Sequence, residues 1–145
     1  VPPLDYELVY AMKRLFPGLE ICINGGITSL EQAEAHHAAG VDGVMIGRTA
    51  YHEPANILAT ADERFYGATT SITAEQAVLD MLPYIESELG KGARLNQITR
   101  HMLGAFAGRP GARRWRRVIS DGAHIEGTGP ELLLSALEEI RRLAA

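Results

Sequence analysis

The segment ICINGGITSLEQAEAHHAAGVDGVMIGR, residues 21–48, constrains the fold more than any other part of the chain. Two short apolar runs, Ile21-Cys22-Ile23 and Val44-Met45-Ile46, each run into a glycine turn, Asn24-Gly25-Gly26 after the first and Gly47-Arg48 after the second. Between them, Leu30, Ala33 and His37 recur at helical spacing, and Ser29 with Gln32 three residues later makes a capping box behind Thr28. Strand, glycine turn, helix, strand, glycine turn is the order of a parallel βαβ unit, with both strands expected to be buried. A glycine turn at the carboxyl end of a parallel strand lets backbone N–H groups approach an anion with no Cβ in the way, and the following helix adds its positive end. Two such turns side by side make a phosphate cup from Asn24, Gly25, Gly26, Gly47 and Arg48.

Charge is divided just as sharply. The net charge of −4 conceals a segment, residues 89–120, with eight basic residues (Lys91, Arg94, Arg100, Arg109, Arg113, Arg114, Arg116 and Arg117) and no Asp or Glu. The rest of the chain carries six basic and eighteen acidic residues. An acidic chain with one strongly basic segment points to a polyanionic partner. An ordinary exposed helix mixes both signs, and Arg113-Arg114 with Arg116-Arg117 would repel one another without an anion, so nucleic acid is favoured over a merely solvated face.

Around these two features the chain reads in order. Val1-Pro2-Pro3 is a loop, and Asp5 caps a helix over residues 6–16 on which Leu8, Met12 and Leu15 share a face, stopped by Pro17-Gly18. One helical turn follows Arg48 and ends at Glu53-Pro54, and residues 56–65 form a helix. Gly67-Ala68-Thr69-Thr70-Ser71 is the expected domain boundary. Beyond it every segment is helical in pattern: residues 73–88, capped by Thr73 and Gln76 and kinked at Pro83, then 96–104, 112–121 and 130–143. The last begins at Pro130, where proline is favoured in a first turn.

Two parallel strands leave open edges, and a barrel of parallel βα units needs eight strands to close. A short extra helix near a phosphate after the last strand is a feature of such barrels. The expected fold class is therefore α/β plus all-α: the C-terminal βα units, strands seven and eight, of a (β/α)8 TIM barrel over residues 1–68, followed by a helical-bundle domain over residues 72–145. The chain is expected to be the C-terminal portion of a longer one.

Four motifs carry a resemblance. Asn24-Gly25-Gly26-Ile27, Asp42-Gly43-Val44-Met45-Ile46-Gly47-Arg48, Ile98-Thr99-Arg100-His101-Met102-Leu103-Gly104 and Pro110-Gly111-Ala112-Arg113-Arg114-Trp115-Arg116-Arg117 resemble, in this order, the C-terminal half of tRNA-dihydrouridine synthases of the A subfamily. The first two are shared by many phosphate-binding barrels; the last two make the match specific. The resemblance implies an FMN-dependent barrel with a tRNA-binding helical domain. In that family NADPH reduces the flavin, which delivers hydride to C6 of a flipped-out uridine while a cysteine on an earlier barrel loop protonates C5. It implies that Asn24, Gly25, Gly26, Gly47 and Arg48 contact the FMN phosphate. Arg113 and Arg116 are the implied tRNA contacts, and Arg114, Arg117, Arg100 and Lys91 of the same basic segment are expected tRNA contacts by their charge. The catalytic cysteine has no counterpart in this chain, which alone is expected to be inactive.

Other residues read more plainly. Cys22, mid-strand, is a small hydrophobe rather than the family's acid. His36 and His37 point about 100° apart and cannot chelate one ion together, so no metal is expected. His101, beside Arg100, is a packing or RNA-contacting residue, and Trp115 anchors its helix rather than stacking on a base. No apolar run is long enough to span a membrane, and a cytoplasmic location is expected. Two rival readings share some of these features: a phosphosugar or histidine-pathway type barrel, and a non-catalytic RNA-binding module.

Overall fold

The computed structural model describes residues 3–144, so Val1 and Pro2 of the entering loop lie outside the described residues. The chain divides into two compact units, residues 1–50 and 51–145.

The first unit is the βαβ segment preceded by one helix. Helix α1 (Tyr6–Leu15) begins where Asp5 accepts from Leu8 N at 3.0 Å. Strands β1 (Cys22–Asn24) and β2 (Gly43–Met45) pair in parallel, with Cys22 opposite Gly43, Ile23 opposite Val44 and Asn24 opposite Met45. Helix α2 (Leu30–Ala38) connects them. Its cap forms as expected in one half, Ser29 Oγ accepting from Gln32 N. The return bond goes one residue further back, from Thr28 N to Gln32 Oε1 at 2.7 Å.

Three sequence expectations are corrected here. The inward face of α2 is Leu30, Ala33 and His36, not His37, because the i, i+3, i+6 row is the buried one and His36 is received by Tyr6 and Tyr10 of α1. Tyr10 Oη lies 2.5 Å from His36 Nδ1, and Tyr6 meets the ring edge-on at 4.7 Å. The strands are less buried than expected: in β1 only Ile23 is inside and Cys22 is exposed, and in β2 Val44 is half-buried and Met45 exposed, because each strand has one face toward the small core and no further strand beside it. Helix α1 packs through Tyr6, Val9 and Tyr10, leaving Leu8, Met12 and Leu15 exposed.

Helix α3 (Arg48–His52) straddles the division, and the second unit is helical throughout. Helix α4 (Pro54–Tyr66) packs Ala55 on the helical core, and Ile72 N donates to Ala59 O. By packing, this unit therefore starts ahead of residues 67–71. The expected helix over 73–88 is two, α5 (Ala74–Asp80) and α6 (Leu82–Gly90), broken at Met81 because Pro83 in the first turn of α6 has no N–H for the preceding turn. Thr73 caps α5 by accepting from Gln76 N. Helix α7 (Leu95–Thr99) is shorter than the expected 96–104 and gives way to a run of turns. Helices α8 (Ala112–Gly122) and α9 (Glu131–Ala144) complete the unit.

Trp115 is the centre of this core. It is fully buried, donates Nε1–H to Met102 O at 2.9 Å, and meets Phe106 edge-to-face at 4.9 Å. Ile85, Ile119, Leu133 and Leu137 close around it.

Candidate functional site

The two glycine turns leave adjacent parallel strands at the same end, because Asn24 and Met45 are register partners and each turn follows its strand. They are not equivalent. Gly25 and Gly26 have φ of +123° and +66°, and a Cβ on Gly26 would press on Leu4 and on the Tyr6 hydroxyl, which itself donates to Gly25 O at 2.7 Å. Backbone conformation and packing thus already require glycine there. Gly47 has neither constraint: its φ is ordinary and a Cβ would meet nothing within 4 Å. The N–H groups of Gly26 and Gly47 donate to no backbone or side-chain acceptor among the described residues. Arg48 and Asn24 are exposed beside them.

The basic segment does not present its cations uniformly. Arg114 forks onto Glu139 of α9 through Nε and Nη2, and this bond holds the Glu139 carboxyl below its ordinary pKa and the guanidinium above its own. Arg117 faces Asp121 one turn on at 3.5 Å, and Lys91 pairs with Glu88 at 2.7 Å, which raises its pKa. The expectation of arginines without anionic partners is corrected for these residues: acids just outside the basic segment, and on α9, supply them. Arg113 and Arg116 are exposed and have no hydrogen bond or ion pair among the described residues. Arg100 donates Nε–H to His101 Nε2 at 3.0 Å.

Two arrangements escape sequence reasoning because they join distant residues. Asp42 accepts from Ile21 N at 2.8 Å and pairs with Lys13 at 2.7 Å; the main-chain bond first, then the ammonium, hold its carboxyl below the ordinary value. Lys13 Nζ also donates to Leu19 O at 2.8 Å, so one ion pair ties α1 to both strands' approaches. The second joins Tyr51 to His101, Oη to Nδ1 at 2.8 Å. No group of His, Cys, Asp or Glu among the described residues is placed to hold a metal, and no described helix is long and apolar enough to cross a membrane.

By geometry this is an α/β protein fused to an arginine-faced helical unit. Its sequence gives it a family: residues 1–141 match the dihydrouridine synthase (Dus) family, and the chain belongs to it. It is 51% identical over 142 residues to a tRNA-dihydrouridine(20/20a) synthase of Shewanella oneidensis, covering 97% of this chain and 42% of that protein. Proteins of the same name from Salmonella typhi and Vibrio cholerae are 53% and 49% identical over 141 residues, again with 97% of this chain and 42% of theirs covered. The chain thus spans well under half the length of these relatives.

Proposed function

We propose that this chain is the C-terminal portion of a tRNA-dihydrouridine synthase, holding the FMN phosphate at the glycine turns of a (β/α)8 barrel's last two βα units and tRNA on its helical unit. The observation that carries this is the pair of glycine turns on one edge of a parallel strand pair, with unused N–H donors, in a chain whose helical unit displays Arg113 and Arg116 unpaired. The donor set suits a phosphate: backbone N–H groups of Gly26 and Gly47, the Asn24 side chain, and the Arg48 guanidinium. The strand pair orients the turns, the missing Cβ at Gly47 leaves room for the anion, and the exposed arginines neutralise RNA phosphates. The flavin, when bound and reduced by NADPH, supplies hydride to the uracil ring. The relatives are named for tRNA positions 20 and 20a, and D-loop uridines there are the proposed substrate, with reduction to dihydrouridine in the cytoplasm by the parent protein. The catalytic cysteine would lie in the part of the parent outside this chain.

Gly47→Val in the parent protein is the direct test. Space around Gly47 means that the variant should fold normally and purify without flavin absorbance. A yellow, active Gly47→Val protein would contradict the phosphate assignment. Arg113→Ala with Arg116→Ala should instead leave flavin content intact and weaken tRNA binding.

A further inference from the structure

A cavity of about 430 Å3 opens in the helical unit, with Tyr51, His52, Glu53, Arg100, His101 and Arg116 in its wall. Its size is that of a small-ligand site rather than of a surface dimple. Its polar groups are ordered by one hydrogen-bond chain. Arg100 Nε always carries a hydrogen and donates it, so His101 Nε2 at 3.0 Å must be the bare, accepting nitrogen. The imidazole proton is therefore on Nδ1 and donates to Tyr51 Oη at 2.8 Å, leaving the phenol's own hydrogen free to donate elsewhere. The two Nη groups of Arg100 and the whole guanidinium of Arg116 have no partner among the described residues. Gly104 is needed where the wall is tightest: a Cβ there would overlap the His52 carbonyl. One acid, Glu53, shares the wall; its Oε2 accepts from Asn56 Nδ2 at 2.9 Å, and its charge opposes an anion there.

Two free guanidinium faces and one free hydroxyl donor against the single carboxylate of Glu53 leave the wall with a net positive charge, which fits an anion carrying several acceptor oxygens. We propose that this cavity seats one phosphodiester of the bound RNA, contacted by Arg100, Arg116 and the Tyr51 hydroxyl, and that His101 is a positioning residue that aims both Arg100 and Tyr51. The proposal rests on the tRNA reading above. It extends the RNA surface from the exposed face of α8 to a concave site containing residues of α3 and of the turns after α7.

The test measures tRNA affinity of the flavin-loaded parent protein across a salt series. Arg100→Ala and Arg116→Ala should each weaken binding and reduce the slope of log affinity against log salt by roughly 0.7–0.9, the value of one phosphate contact. Tyr51→Phe removes a hydrogen bond to a charged oxygen but no charge, so affinity should fall about tenfold with the slope unchanged. Glu53→Gln should bind more tightly. His101→Leu should reproduce the Tyr51→Phe loss with a further reduction of the slope, and His101→Gln, which restores an acceptor for Arg100, should recover the slope alone. Should His101→Leu fail to fold, the exposed Tyr51 and Arg116 still decide the matter. Arg113 lies outside the cavity wall and serves as reference. Loss of binding in Arg113→Ala with wild-type behaviour of Tyr51→Phe, Arg100→Ala and Arg116→Ala would overturn the cavity while leaving the tRNA function intact. A parent protein with no affinity for tRNA would overturn both.

Discussion

The two units differ in how far each satisfies itself. In residues 51–145, eleven buried residues cluster with Trp115 and a dozen half-buried ones pack on them. In residues 1–50 the buried apolar residues are Ile23, Ile27, Leu30, Ala33 and Val41, while Leu8, Leu15, Leu19 and Met45 are each more than half exposed. Two strands with open edges and so small a core fall below what supports an independent fold. The helical unit exposes large apolar side chains as well, Leu58, Tyr66 and Ile125 among them, but around a core of its own; the βαβ unit needs more sheet and more core, which agrees with relatives of more than twice this chain's length.

The sharpest way to break this comparison is to separate the units. Residues 51–145 should give cooperative, helical unfolding by circular dichroism, and residues 1–50 none; a folded first unit would refute the contrast. Next in size, Trp115→Ala should cost about 3–5 kcal/mol in denaturant unfolding of the helical unit, since it opens a large cavity and removes the Nε1–H bond to Met102 O, which keeps only its bond from Ala105 N. Between the glycine turns, Gly26→Ala should destabilise by about 1–2 kcal/mol through its left-handed backbone and the crowding of Leu4 and Tyr6, whereas Gly47→Ala should change stability by less than about 0.5 kcal/mol. Equal costs would mean that both glycines are structural.

The smallest effects are electrostatic. Asp42 in one unit and Glu139 in the other have folded-state pKa values below their ordinary ones, so each contributes stability that is fully present above the unfolded carboxylate pKa and is lost as pH falls through the lowered one. Asp42→Asn and Glu139→Gln should each flatten the acid limb of thermal unfolding. Asp42→Asn should have the larger effect, because its carboxylate holds a backbone N–H as well as Lys13. Identical acid limbs in variant and parent would refute the assignment.

What the sequence makes legible is local. Asp5, Ser29 and Thr73 cap their helices because a cap needs only its own next three residues. The strand pair and its parallel sense follow from apolar runs, turns and connection length. Facing is harder. His36 rather than His37 turns inward because Tyr6 and Tyr10 of a different helix receive it, and nothing in the α2 sequence encodes that. The stripe Leu8, Met12 and Leu15 has the spacing of a core face yet is exposed, since α1 meets this sheet through Tyr6, Val9 and Tyr10. At the site, Gly47 is legible as a turn glycine, but its difference from Gly26 is a matter of backbone φ and surrounding space. Likewise the basic segment was visible as charge, while the partners that occupy Arg114, Arg117 and Lys91 come from acids outside it.

The central claim is a division of labour, cofactor phosphate on the first unit and RNA on the second. It is tested most directly by measuring bound flavin and tRNA affinity on the same two variants of the parent protein, Gly47→Val and Arg113→Ala with Arg116→Ala. The expected result is that the first loses flavin absorbance with tRNA affinity retained, and the second loses tRNA affinity and salt dependence with flavin retained. Flavin loss in the arginine variant, or a fully flavinated Gly47→Val protein, would contradict the division.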